Sequence, residues 1–353
     1  MRMDEITLII PECREAAKTK RLTGILEYCL DGCSVKTITR AEEFEPLENK
    51  RVLFAINLGE SGINLEYFGF LKKMRVNDGF LKGCVGALIV DGSTELYTKA
   101  VARELVFCAN RSGCTFVGKP LVEATGSMTN FNTLAMTLET DHMGAYRHSA
   151  KTLVQQLQSF EYPKSSRPNI LTLHASNYST SNTLSVWKMV EKHLTGCDIH
   201  ELTLRNGELV DCTGCPYTQC LHLGERGNCF YGGAIVEDVF PAVRACNALV
   251  LLCPNYNDAV GANIAAFINR LTSLYRNTRF YDKYLFGVIV SGYSGGDIVA
   301  EQLISGLNMN KSFLLPAWFS LLETAHAPRS AQDIPGIEER AKLFAQNMLG
   351  MLC

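Results

Sequence analysis

Two textures alternate along the chain. Short runs of aliphatic and β-branched residues, bounded by Gly, Pro, Asn or Ser, predict buried strands. In the first half they fall at Ile6–Ile10, Val35–Thr39, Val52–Asn57, Val85–Val90 and Thr115–Leu121. Between them, apolar residues at helical spacing predict helices over Glu15–Leu30, Leu65–Met74, Thr94–Asn110 and Leu138–Ser159. The second half repeats the plan. Its strands are expected at Ile170–Leu173, Ile199–Leu204, Ala248–Cys253, Leu285–Val290 and Phe313–Leu322, and its helices at Asn182–Leu194, Ile235–Ala245, Ala262–Tyr275, Asp297–Leu307 and Ile337–Met348. Continuous apolar strands alternating with helices imply an α/β fold whose parallel sheet is covered on both faces. A local echo, Gly86-Ala87-Leu88-Ile89-Val90-Asp91-Gly92-Ser93 against Gly287-Val288-Ile289-Val290-Ser291-Gly292-Tyr293-Ser294, points to duplication. The expectation is two doubly wound, five-stranded parallel sheets in tandem; the alternative is one large irregular α/β domain.

The polar stretch Tyr162-Pro163-Lys164-Ser165-Ser166-Arg167-Pro168 punctuates the chain between the halves. It predicts domains at 1–162 and 169–353 with a linker at 163–168. Hydrophobic residues make up 47% of the 353 and charged residues 20%, enough apolar material for real cores. Lys plus Arg number 34 and Asp plus Glu 36, a net charge of −2, which argues against nucleic acid as a partner because phosphate neutralisation needs a basic face. No stretch approaches the ~20 apolar residues of a membrane helix, and the opening Met-Arg-Met-Asp-Glu-Ile is acidic where an export signal would be apolar. The expected setting is cytoplasmic. There, the 14 cysteines serve metals, redox chemistry or packing rather than disulfides. Cys84 and Cys253, in apolar runs, read as small buried hydrophobes.

Ligands of open parallel sheets bind beyond the carboxyl ends of the strands, so the loops there are the candidate ligand contacts. After the first strand of the second half comes His174-Ala175-Ser176-Asn177-Tyr178-Ser179-Thr180-Ser181-Asn182-Thr183, rich in hydroxyls and amides and leading into a helix. A helix N-terminus with such side chains can cradle a phosphate, and it can equally be an ordinary N-cap. After the third strand, Pro254-Asn255-Tyr256-Asn257-Asp258-Ala259 can lie against a planar ring; after the fourth, Ser291-Gly292-Tyr293-Ser294-Gly295-Gly296 allows close backbone approach.

In these residues the second half resembles the NADPH-dependent FMN reductase family of flavodoxin-like proteins, and especially its iron–sulfur flavoproteins. The resemblance is carried by Ser176 and Ser181-Asn182-Thr183, by Cys212-Thr213-Gly214-Cys215, by Pro254-Asn255-Tyr256 and by Phe267-Ile268-Asn269-Arg270. His174-Ala175 stand in place of the family's Gly, and Tyr178 in place of its Arg. The resemblance implies FMN as cofactor, with its phosphate in the loop of Ser176, Tyr178, Ser181, Asn182 and Thr183. The ring would lie against Pro254, Asn255, Tyr256, Asn257, Asp258 and Ala259 on one side and Ser291, Gly292, Tyr293 and Gly295 on the other. It also implies a homo-oligomer.

The cysteines Cys212-x2-Cys215-x4-Cys220-x8-Cys229 are spaced so that a Gly-containing loop could wrap four sulfurs around one centre. A 4Fe–4S cluster, unmetallated cysteines, zinc and a Cys212–Cys215 redox disulfide all remain readings of that spacing. His222 reads as a solvent-facing loop residue, His142 and His148 as solvated helix residues, and Trp318-Phe319 as core of the last strand. The first half offers Pro11-Glu12-Cys13-Arg14-Glu15 and Asn57-Leu58-Gly59-Glu60-Ser61-Gly62 at the matching places, without the hydroxyls, the Pro or the Tyr. It reads as a degenerate copy without cofactor.

The expected function is an FMN-dependent NAD(P)H oxidoreductase or electron-transfer flavoprotein. A nicotinamide nucleotide or redox protein would be the donor, and a small molecule or protein the acceptor. A flavodoxin-like carrier without a small substrate, and a non-enzymatic scaffold, are the alternatives.

Overall fold

The computed structural model describes residues 5–13, 16–204 and 209–353. The chain divides into two compact units, Met1–Glu161 and Tyr162–Cys353.

In the first unit, strands β1 (Ile6–Ile9), β2 (Val35–Ile38), β3 (Arg51–Asn57), β4 (Val85–Asp91) and β5 (Thr115–Ala124) form one sheet in the order β2-β1-β3-β4-β5. Every pairing is parallel. Its helices are α1 (Ala16–Cys29), α2 (Leu65–Arg75), α3 (Thr98–Arg111), α4 (Asn132–Thr137) and α5 (His142–Gln158). Interior strand β4 is buried along its whole length, as a strand covered on both faces must be, whereas edge strand β2 is largely exposed.

The second unit repeats the design with β6 (Asn169–His174), β7 (Asp198–Thr203), β8 (Ala248–Pro254), β9 (Tyr284–Ser291) and β10 (Ser320–Thr324), in the order β10-β9-β8-β6-β7, again all parallel. Counted within each unit the order is 2-1-3-4-5, the flavodoxin-like winding. Helices α6 (Asn182–Glu191), α7 (Tyr217–Glu225), α8 (Phe240–Ala245), α9 (Ala262–Tyr275), α10 (Gly296–Leu303) and α11 (Ile337–Leu352) complete it. The winding reverses between β6 and β8. Ligands of this winding bind beyond the carboxyl ends of the strands at such a reversal, and it is there that the polar loops emerge.

Several sequence expectations shift. The last strand begins at Ser320 rather than Phe313, because Pro316 has no N–H to give a ladder and Trp318 turns the backbone to φ 51°. Trp318 thus precedes the strand, with Phe319 buried beside it. Helix α3 starts at Thr98, since Tyr97 before it sits at φ 77°. The long helix expected from Leu138 starts at His142, with Asp141 accepting the Gly144 N–H as its cap at 2.6 Å, and the separate short α4 precedes it. The stretch holding Cys220 and His222 is helix α7, not a loop. Among the described residues no helix is long and apolar enough to cross a membrane.

Candidate functional site

His174 ends strand β6, between β7 and β8, and is fully buried. Its Nδ1 accepts the Ser176 N–H at 3.1 Å, while Nε2 lies 3.3 Å from Glu201 Oε1 on β7. The Tyr178 hydroxyl donates to the same carboxylate at 2.9 Å, and Lys188 of α6 pairs with its other oxygen at 2.9 Å. Burial pulls the His174 imidazole below its ordinary value against the opposing pull of Glu201. Burial also pushes the Glu201 carboxyl up, but hydrogen bonds from Lys188 and Tyr178 outweigh it and leave the carboxyl below its usual range. The loop then turns into α6, whose N-cap Ser181 accepts the Leu184 N–H at 3.1 Å. First-turn amides of such a helix face outward without intrahelical partners.

The Asn182 side chain is already committed elsewhere. Its Nδ2 donates to the carbonyls of Ala325 and Ala327 at 3.2 and 2.8 Å, and its Oδ1 accepts the Ala331 N–H at 3.1 Å. Asn182 therefore ties the segment after β10 to the start of α6, and its backbone amide is what remains for a ligand. Thr183 is buried and Tyr178 is exposed.

After β8, Asn255 Nδ2 donates to Ser294 O at 2.8 Å and to Asp258 Oδ1 at 3.3 Å, joining the second and third loops. Asn257 and Asp258 both take positive φ, 54° and 57°, making a tight turn between Tyr256 and Ala259. Gln302 of α10 fastens that turn, accepting from Val260 N and donating to Asp258 O, each at 2.9 Å. Gly295 caps α10 at φ +82°, and a Cβ there would stand 2.1 Å from Asp258 Oδ1, so the loop admits only glycine at this position. The Tyr293 ring projects into solvent, 78% exposed, and packs on His326 with centroids 4.7 Å apart; its hydroxyl lies 3.3 Å from His326 Nε2. His326 and Glu201 were not singled out in the sequence. Each is placed by a neighbouring strand, and no local motif marks either.

At the ends of β6, β8 and β9, four buried polar atoms lack any hydrogen-bond partner among the described residues: His174 Nε2, whose nearest oxygen is that of Glu201, and, beyond it, Ser176 Oγ, Asn255 Oδ1 and Ser291 Oγ. Buried polar atoms are nearly always paired, so the last three, at the ends of adjacent strands, fit a polar ligand that would pair with them. A phosphorylated ligand bearing a heteroaromatic ring, as FMN does, has both the acceptors for the α6 amides and a polar ring edge for these atoms.

The four cysteines of the 212–229 segment line one pocket of about 120 Å³, with Phe230, Tyr231, Asn269 and Arg270. Cys212 is exposed and the other three are half-buried. Arg276 Nη2 donates to Cys220 Sγ at 3.8 Å, and the buried Arg270 anchors the segment through Val210 O and Gly232 O at 3.2 and 2.7 Å. Among the described residues no three His, Cys, Asp or Glu side chains stand close enough together to hold a metal ion, so the expected four-sulfur ligand set shares a pocket without converging on one point. The reason is local. Cys220 is carried on α7, while Cys212, Cys215 and Cys229 sit in irregular backbone on either side of it. His222 is exposed on α7 and does not line this pocket. Cys84 and Cys253 are fully buried, and burial pushes the Cys253 thiol up to about 12.

In the first unit the corresponding strand ends carry other chemistry. Asp91, at the end of β4, receives Arg21 Nε at 2.9 Å and Nη2 at 2.8 Å, and the Tyr146 hydroxyl at 3.3 Å. Asn57, at the end of β3, accepts the Gly59 N–H at 3.1 Å. Two clefts of about 380 and 440 Å³ flank Glu12 and Cys13 beyond these strands.

Among curated protein sequences the chain has no match. Among solved structures it is similar to an NAD(P)H:quinone oxidoreductase from Methanothermobacter marburgensis, at 13% identity and TM-score 0.40, over 52% of this chain and 99% of that one. An azoreductase from Bacillus anthracis str. Sterne is similar at 15% identity and TM-score 0.37, over 51% and 99%. RosB, solved with a bound 8-demethyl-8-formylriboflavin-5'-phosphate intermediate, is similar at 12% identity and TM-score 0.40, over 52% and 78%. Residues 168–326, the greater part of the second unit, match the family model described as NADPH-dependent FMN reductase.

Proposed function

We propose that the second unit binds FMN at the carboxyl ends of β6, β8 and β9 and that the protein is an FMN-dependent oxidoreductase drawing electrons from NAD(P)H. The observation that carries this reading is the set of unpaired buried atoms, Ser176 Oγ, Asn255 Oδ1 and Ser291 Oγ, at the carboxyl ends of the three adjacent strands β6, β8 and β9. The family match supports it independently. Bound FMN supplies hydride and single-electron chemistry. The chain's own residues orient it. The first-turn amides of α6, together with Ser176, receive the phosphate, and Asn182 holds the segment after β10 in place behind them. The turn at Asn257 and Asp258 and the Gly295 approach shape the space for the ring. Tyr293 and His326 pack on each other at its rim, where a donor or acceptor would enter. The first unit is proposed to be a copy that has given up the cofactor. The nicotinamide donor, a small-molecule or protein acceptor, and self-association complete the reading.

A second reading concerns the cysteine pocket. All four thiols line it without meeting at one point, so an iron–sulfur centre would require the segment around α7 to rearrange and bring Cys212, Cys215, Cys220 and Cys229 together, and if bound it would supply single-electron chemistry. Both readings are tested on anaerobically purified protein by its absorption spectrum, FMN reconstitution, and iron and sulfide assay. A protein that stays colourless and takes up no FMN overturns the first. Bound FMN without iron, or a Cys215→Ala variant with undiminished iron, overturns the second.

A further inference from the structure

We propose that His174 is the positioning residue of the phosphate loop: its neutral imidazole holds the loop in the form that receives the phosphate, and its protonation releases the loop. This rests on the FMN reading above. At the site where the loop leaves β6, the fully buried ring accepts the Ser176 N–H through Nδ1 at 3.1 Å. A ring nitrogen that accepts carries no proton, so in the neutral ring the hydrogen sits on Nε2, which lies 3.3 Å from Glu201 Oε1.

The loop is thereby held at two points. His174 fixes the Ser176 backbone, which sets where the orphaned Ser176 Oγ stands, and Glu201 fixes Tyr178 through its hydroxyl at 2.9 Å. The Tyr178 ring meets the imidazole edge-on, with centroids 5.6 Å apart, and closes it off. A loop held in this way needs little reordering when a phosphate arrives.

Protonation at Nδ1 puts two donors face to face, the imidazolium N–H and the Ser176 N–H, and the clamp is lost. The groups around the ring are Glu201 on β7, Tyr178 in the loop and, beyond Glu201, Lys188 and Glu191 on α6, which also pair with each other at 2.6 Å; the β8 neighbour in register is the apolar Leu252. Glu201 favours the imidazolium, while Lys188 and the burial oppose it, so the neutral ring is the resting form and the switch lies on the acid side.

The test titrates FMN into the flavin-free full chain at about pH 8 and about pH 5.5, reading flavin fluorescence, for the wild type, His174→Asn and His174→Leu. Asn places an amide oxygen where His places Nδ1 and does not titrate; Leu offers no acceptor. Loss of one buried hydrogen bond corresponds to about a tenfold weakening, so His174→Leu is expected to bind FMN about tenfold more weakly at the higher pH. His174→Asn stays within about threefold of the wild type there and loses affinity less steeply toward acid. The phosphate's own titration is common to both proteins, so the difference between their pH profiles reports His174. Circular dichroism checks that the variants fold, and if His174→Leu does not, the Asn comparison decides alone. Equal affinity of wild type and His174→Leu, or superimposable pH profiles of wild type and His174→Asn, overturns the proposal while the FMN reading stands. A wild type that binds no FMN overturns both.

Discussion

The strand ends of the two units make an instructive contrast. Asp91 closes β4 and Ser291 closes β9, and these are the same places in the same winding. Asp91 is enclosed by Arg21, which donates twice to its carboxylate and once more to Gly92 O at 2.8 Å, and by Tyr146. Ser291 is equally buried, yet its hydroxyl has no partner. The next strand ends repeat the contrast. The Asn57 amide oxygen accepts from within its own turn, whereas the Asn255 amide oxygen is left open. One unit pairs these strand-end atoms with its own side chains and turns; the other leaves them unpaired, as the proposed flavin site requires. Fold alone therefore does not mark the binding unit, since both share it. The difference lies in where the hydrogen bonds go.

The comparison can be broken most decisively at Ser181. A carboxylate at this N-cap keeps the helix cap but repels a phosphate from the α6 amides, so Ser181→Asp is expected to lose nearly all FMN from the full chain while its circular dichroism stays unchanged. Retention of flavin by this variant would remove the phosphate from α6. In the first unit, Arg21→Ala leaves Asp91 buried without its cation and is expected to cost about 3 kcal/mol of stability, with FMN binding untouched. Denaturant melts and flavin titration on the same sample separate the two effects.

Gly295→Ala is the next smaller perturbation. Positive φ and the approach to Asp258 Oδ1 together predict a loss of about 1 to 2 kcal/mol and weaker FMN binding, whereas Gly24→Ala, on α1 with open space around its missing Cβ, is expected to leave flavin binding unchanged.

The smallest effect is on pH. Because burial lowers the folded-state imidazole of His174, the unfolded chain binds more protons near and below about pH 6.5. Stability from this group is complete above that range and declines as pH falls through it. His174→Asn should flatten that part of the stability profile, as measured by thermal melts across pH.

The two-fold β/α alternation was legible because continuous apolar runs and helical spacing are local signals. The helix cap at the start of α6 and the buried Cys84 and Cys253 were legible for the same reason. The rest depends on residues distant in sequence. Asn182 reads as a phosphate contact until Ala325, Ala327 and Ala331 arrive from beyond β10 and occupy its side chain. Glu201 and His326 carry no motif, because parallel pairing of β7 with β6 and of β10 with β9 is what sets them beside His174 and Tyr293. Cysteine spacing placed four sulfurs in one pocket but not at one point, since α7 forms inside the segment and fixes Cys220 on a helix. The Phe313–Phe319 stretch is apolar enough for a strand and Leu314 does pair in parallel with Tyr284, yet Pro316 and the left-handed Trp318 interrupt the ladder before it resumes at Ser320.

The central claim is that the strand ends of the second unit, whose polar atoms are unpaired, and not the internally hydrogen-bonded ones of the first, receive the flavin. Flavin-to-protein stoichiometry after FMN reconstitution of the full chain, measured beside Ser181→Asp, tests it most directly. The account predicts one FMN per chain in the wild type and almost none in Ser181→Asp. Two FMN per chain, or one that survives the substitution, would contradict it.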